Sequence, residues 1–138
     1  MKNTERNEIA YADGMSLDWN FGALAEGLTC YRKAEFFEAH EHWESVWLTL
    51  QEPEKSFLQA LIQITVAFHH LQAGNSAGMI ALLRRALQRL ELCPAHFGGI
   101  VVASLRPEVR EWLRVTESAE PSIPATSPQI CPIDLPAE

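Results

Sequence analysis

Along positions 17–92 apolar residues recur at intervals of three and four, and this rhythm outweighs any two-residue alternation, so the pattern predicts helices rather than strands. Four segments account for it. The first covers 17–32, with Ser16 as its N-cap and Leu17, Phe21, Leu24 and Leu28 as its apolar stripe, although Gly22 and Gly27 weaken its propensity. The second covers 34–50 and must stop before Pro53. The third starts just after Pro53 and runs over 54–73 to the stop signal Gly74-Asn75. The fourth covers 76–92, turns Ile80, Leu83, Leu87 and Leu90 inward, and is closed by Pro94. Short connections make neighbouring helices antiparallel, so the expected fold is all-α, a small antiparallel bundle of four to five helices.

Beyond Pro94 the rhythm is lost. Residues 95–105 read as a loop with an apolar tail packed back on the bundle, and Pro107 opens a short helix over 107–115. From Ser118 the chain is irregular and rich in proline, serine and alanine, which predicts a mobile tail; Ile123, Ile130 and Ile133 offer an extended alternative, docked along a groove. The expected organisation is a flexible segment over 1–16, one helical domain over 17–117 and a Pro/Ser-rich tail over 118–138. A length of 138 residues with 47% hydrophobic content suits one such domain.

The candidate chemistry lies on the second helix. Its stretch from Phe36 to Trp47 holds two histidines, three glutamates and four aromatic rings, and Phe36, His40, Trp43, Glu44 and Trp47 share one face. On the third helix Gln59, Gln63, Val66 and His70 form a second stripe. Antiparallel pairing would set His40 and Glu44 against Gln59, Gln63 and His70, a buried polar seam in an apolar bundle. Amides, imidazoles and carboxylates can satisfy one another there without any ligand. A sharper reading takes His40-Glu41-x-x-Glu44 as the outline of a metalloprotease H-E-x-x-H helix with glutamate as the second ligand. His40, Glu44 and His70 would then hold a divalent transition metal, and Glu41 would act as base on bound water. A di-iron bundle is excluded, since it needs Glu-x-x-His pairs and the chain has none. Trp43 and Trp47 read first as core anchors and second as a cover over a pocket. His42 and His69 are displaced about 100° from these stripes and read as groups that reach the surface or a neighbouring helix, and Asn75 reads as a turn residue and a cap.

Charge narrows the classes further. A formal net charge of −7 and a pI near 5.2 argue against nucleic acid and anionic membranes as partners. Arg84, Arg85 and Arg89 read as a solvated helix face balanced by Glu91. Cys30, Cys93 and Cys131 form neither a disulfide framework nor a zinc motif, and a reducing cytoplasm is expected. Residues 1–7 have no apolar stretch behind them that would read as a secretory signal. The most apolar run, 57–71, is interrupted by Gln59, Gln63, His69 and His70 and is too short to span a bilayer.

Together Phe37-Glu38-Ala39-His40-Glu41 with Glu44 and Trp47, Phe57-Leu58-Gln59-Ala60-Leu61-Ile62-Gln63, His70, Gly74-Asn75, Gly78, Leu82-Leu83 and Ala86 carry a resemblance. Over about residues 21–105 the chain resembles the bacterial and plastid family catalogued as domain of unknown function 309. The resemblance implies an all-helical bundle with a polar cluster at His40, Glu41, Glu44, Gln59, Gln63 and His70, and no established activity. Ala60 stands where the family pattern has glycine, which implies a slightly wider helix crossing. Three functions follow as expectations. The first is a binding or interaction module that meets a protein partner or a second copy of itself. The others are a metal-dependent hydrolase and a site for a small polar metabolite at the same seam. No cofactor is expected beyond the candidate metal.

Overall fold

The computed structural model describes residues 17–118, 124 and 126–133. Five helices carry the described fold: α1 (Gly22–Arg32), α2 (Phe36–Trp47), α3 (Glu54–Gln72), α4 (Ser76–Leu90) and α5 (Val102–Thr116). A short hairpin of β1 (His96–Phe97) and β2 (Ile100–Val101) joins α4 to α5. The all-α bundle expected from the pattern is therefore the fold. Helix α3 is its centre, with Leu58, Ala60, Leu61, Ile64 and Ala67 fully buried between neighbours. The methyl of Ala60 is thus part of the core.

Two helix ends explain the tight bundle. The chain leaves α1 through Ala34 at φ 63°, with Glu35 N–H donating to Cys30 O at 2.8 Å and Ala34 N–H to Tyr31 O at 3.0 Å. This is a Schellman ending, with alanine where glycine is the unstrained choice. Helix α3 ends the same way, with Gly74 at φ 80° and Asn75 N–H donating to His70 O at 2.8 Å. Asn75 then caps α4, its Oδ1 accepting from Gly78 N–H at 2.9 Å. One residue thus closes one helix and opens the next, as its position after Gly74 implied.

Three expectations change. Helix α1 starts at Gly22 rather than at 17, because Gly22 takes φ 74° and Asp18 Oδ1 accepts from Asn20 N–H at 2.9 Å, turning the chain first. Leu17 and Trp19 are still buried, but in an irregular segment, and Ser16 lies outside the described residues. Helix α5 starts five residues before Pro107, which sits inside it. Its first free N–H groups find an acceptor without any cap side chain: Val102 and Ala103 both donate to Ala95 O, at 2.8 and 2.9 Å. Between them the expected loop contains the hairpin. Gly98 and Gly99 take φ 59° and 81°, the two positive angles that a type I′ turn requires.

The third change concerns the tail. Residues 126–133 are docked, in the extended alternative. Ile130 is buried, Val101 N–H donates to Cys131 O at 2.9 Å and Ile133 N–H donates to Gly99 O at 2.8 Å. An isolated bridge pairs Ile100 with Pro132. Two aromatic donors fasten the strap to helices: Trp112 Nε1 to Thr126 O at 3.0 Å and Tyr31 Oη to Pro128 O at 2.6 Å. Ile133 is partly exposed, and Ile123 lies outside the described residues.

At the junction of α1 and α2 the fully buried Trp43 donates from Nε1 to Leu24 O at 3.1 Å. The indole reaches that carbonyl only because Gly27 has no side chain; a Cβ there would overlap its ring. Gly27→Ala should therefore destabilise the protein by about 1–3 kcal/mol, despite alanine's better helix propensity, as measured by urea unfolding. A neutral or stabilising change would show that Trp43 can move aside.

Burial raises the Tyr31 phenol well above its ordinary value of 10.0. The folded state holds that proton more tightly than the unfolded state. The resulting stability is present below pH 10 and is lost as pH rises through the folded value, at about 1.4 kcal/mol per unit. Tyr31→Phe should start about 1 kcal/mol lower, having lost the bond to Pro128, and should lack this alkaline slope. Parallel falls in both proteins from pH 9 to 11 would refute the assignment.

Candidate functional site

The register of α2 on α3 decides which polar side chains meet. Trp47 Nε1 donates to Lys55 O at 3.1 Å at one end, and the Phe36 and Phe68 rings lie 5.8 Å apart at the other. Between these ties, His40 falls level with Gln63 and Glu44 level with Gln59. The same antiparallel register carries His70 past the start of α2. Azimuth selects the side chains of α2. At about 100° per residue, Trp47, His40 and Glu44 lie about 40°, 60° and 100° round the helix from buried Trp43, and Glu41 about 160°.

Those positions produce a groove rather than a buried seam. His40, Glu44 and Trp47 of α2, Gln59, Ile62, Gln63 and Val66 of α3, and Leu82 and Arg85 of α4 line a cavity of about 300 Å³. The side chains of His40 and Glu44 are 24% and 54% exposed, so this wall is open to solvent. Of the polar residues that line it, only Gln63 is buried, at 7% exposure. Its Oε1 has no hydrogen-bond partner among the described residues. The self-satisfied network of the sequence reading is therefore not what the groove contains.

The rest of the wall is partly preorganised. His40 Nδ1 is 3.3 Å from Phe37 O, and its Nε2 is 3.6 Å from Glu44 Oε1. Trp47 is held by its bond to Lys55, whose Nζ stands 4.3 Å from the centre of the ring. Arg85 differs from its neighbours. Arg84 pairs with Glu117, Arg110 with Glu91 and Arg114 with Glu111, whereas among the described residues no carboxylate lies within ion-pair distance of Arg85. Arg84 and Arg85 are both exposed, in keeping with the solvated-face reading, and Arg85 also lines the groove one turn beyond Leu82.

Other candidates stand elsewhere. Trp43 belongs to the core and does not line the groove. Glu41 is exposed and does not line the groove. His70 faces the α3–α4 turn, where its Nδ1 is 3.3 Å from Asn75 Nδ2. The set His40, Glu44 and His70 is thus not brought together. No group of three or more histidine, cysteine, aspartate or glutamate side chains among the described residues is gathered to hold a metal ion. His42 pairs with Glu26 at 3.4 Å, and the His69 ring lies 5.6 Å from that of Phe37. Burial holds the Cys93 thiol above its ordinary range, and burial with nearby Glu35 does the same for Cys30, so neither is primed as a nucleophile.

The groove-bearing helices carry the family signature. Residues 24–82 match the family described as "Domain of unknown function (DUF309)". This DUF309 stretch contains every groove residue except Arg85, and the hairpin, α5 and strap follow it. An "Uncharacterized protein" of Aquifex aeolicus (strain VF5) is 30% identical over 99 residues, covering 71% of this chain and 30% of that protein. The chain therefore spans about 30% of the length of this relative. No described helix is long and apolar enough to cross a membrane.

Gln63 provides a direct test of the groove's energetics. An orphaned buried acceptor costs about 1–3 kcal/mol, so Gln63→Met, which keeps the side chain's length, should stabilise the protein by about 1 kcal/mol in urea unfolding. Destabilisation would mean that the amide is satisfied in solution by groups of the protein itself.

Proposed function

We propose that the chain is a non-catalytic binding module whose site is the groove between α2, α3 and α4. The observation that carries this reading is the unpartnered Oε1 of Gln63, a residue of a groove that sets Ile62, Val66, Leu82 and Trp47 among the polar side chains of His40, Glu44, Gln59 and Arg85. A buried acceptor without a donor is a net cost to folding, and a ligand that donates a hydrogen bond removes that cost when it binds. A few convergent polar groups over an apolar floor are the usual composition of a small-molecule site, and 300 Å³ is at the lower end of the size range of such sites. Catalysis is the weaker reading, since Glu41 points away from the groove and the two thiols are held protonated. The free thiols of Cys30, Cys93 and Cys131 suit a reducing cytoplasm. The acidic surface disfavours nucleic acid as the partner.

The test is a thermal-shift and ligand-observed NMR screen of the full chain against small polar metabolites grouped by charge: anionic, cationic, zwitterionic and neutral. A ligand that binds only the native state raises its stability. The expected result is at least one class that raises Tm and perturbs the amide resonances of residues 40–47, 59–66 and 82–85 together. No response from any class, or shifts confined to other surfaces, would overturn the reading.

A further inference from the structure

The groove sets a carboxylate on its α2 side and a guanidinium on its α4 side, and this points to the ligand's chemistry. On the α2 side stands the Glu44 carboxylate, and α3 contributes Gln63, whose buried Oε1 has no hydrogen-bond partner among the described residues. On the α4 side stands Arg85, a permanent cation with five donors and no acceptor, without an ion-pair partner among the described residues. Ile62, Val66 and Leu82 lie between. A simple anion would leave Gln63 Oε1 unsatisfied and meet Glu44 with like charge. A simple cation would do the same to Arg85.

We infer that the groove takes a small zwitterion, an aliphatic α-amino acid, with its ammonium at Gln63 Oε1 and Glu44 and its carboxylate on Arg85. This rests on the binding reading above. An ammonium is the group that satisfies both an amide oxygen and a carboxylate at once. A carboxylate matches the guanidinium fork in a bidentate pair. Among the other lining residues Ile62, Val66 and Leu82 are aliphatic, which favours a branched aliphatic side chain. The cavity of about 300 Å³ is at the lower end of the size range of small-molecule sites, which suits a single amino acid.

The experiment is isothermal titration of the full chain with L-valine, L-isoleucine and L-leucine, followed by two trimmed relatives of leucine. One is 4-methylpentanoate, which lacks the ammonium, and the other is leucine methyl ester, which lacks the carboxylate charge. At least one of the amino acids should bind, and each trimmed form should bind at least about tenfold more weakly, the scale of one charge-assisted contact. Arg85→Gln, an exposed substitution that leaves the core intact, should weaken the amino acid about tenfold and leave the methyl ester unchanged. Equal binding of all three forms would overturn the zwitterion assignment. So would unchanged leucine affinity in Arg85→Gln. A ligand of another charge class in the groove would overturn it while leaving the binding module standing, and silence from every class would remove both.

Discussion

The contact on which this structure depends is the indole of Trp43 packed against Gly27, where a side chain would overlap it. Its Nε1 reaches the Leu24 carbonyl, its ring meets Trp19 edge-on at 5.6 Å and stacks near Tyr31 at 6.0 Å. Four parts of the chain are located by that one side chain. Trp19 in turn donates to Gly98 O at 2.7 Å in the hairpin, and Tyr31 donates to the strap at Pro128. Large aromatic groups dominate core energetics because each buries much area and tolerates few orientations. Here the orientation is further fixed by a hydrogen bond, so the rotation of α2 about its axis is set.

That rotation creates the groove. With Trp43 inward, the polar residues of α2 cannot also face the core, and His40 and Glu44 are displaced to its flank beside α3. The polar groups that looked from the pattern like a buried seam are thus at the edge of the core, where water reaches them and burial costs little. Gln63 is the exception, because α3 is covered on both sides by α2 and α4. One amide is carried inside while its expected partners stay out. The cost to folding and the opportunity for a ligand have the same origin.

Much of the bundle was legible because helical periodicity and the stop signals Gly74-Asn75 and Pro53 are local properties, readable residue by residue. The two stripes that line the groove were legible for the same reason. What escaped the pattern depended on distant backbone. Helix α5 continues its buried stripe back from Val109 through Leu105 to Val102, but Pro107 reads as a start, and the acceptor that allows the earlier start is the Ala95 carbonyl. The strap docks through backbone carbonyls, which have no sequence signature. Gly27 reads as a weak point in a helix and is a required vacancy. The Gly98-Gly99 turn was readable, since two glycines between short apolar pairs are a type I′ signal, but the surrounding loop residues obscured it.

The site shows where a pattern on one helix stops being informative. His70 shares the azimuth of Gln59 and Gln63 to within about 20°, so no periodicity argument separates it from them. Only the axial register does, and it is fixed by Trp47 on Lys55 and Phe36 on Phe68, contacts between helices that the spacing within either helix does not encode. Arg85 is the converse case. Its own helix assigns it to a solvated face, and its place in the groove follows from how α4 lies against α3 after the Asn75 turn. A three-helix site is therefore only two-thirds readable from helices taken singly, and the residue contributed by the third, lying just beyond the matched stretch 24–82, is the one that gives the groove its opposite charge.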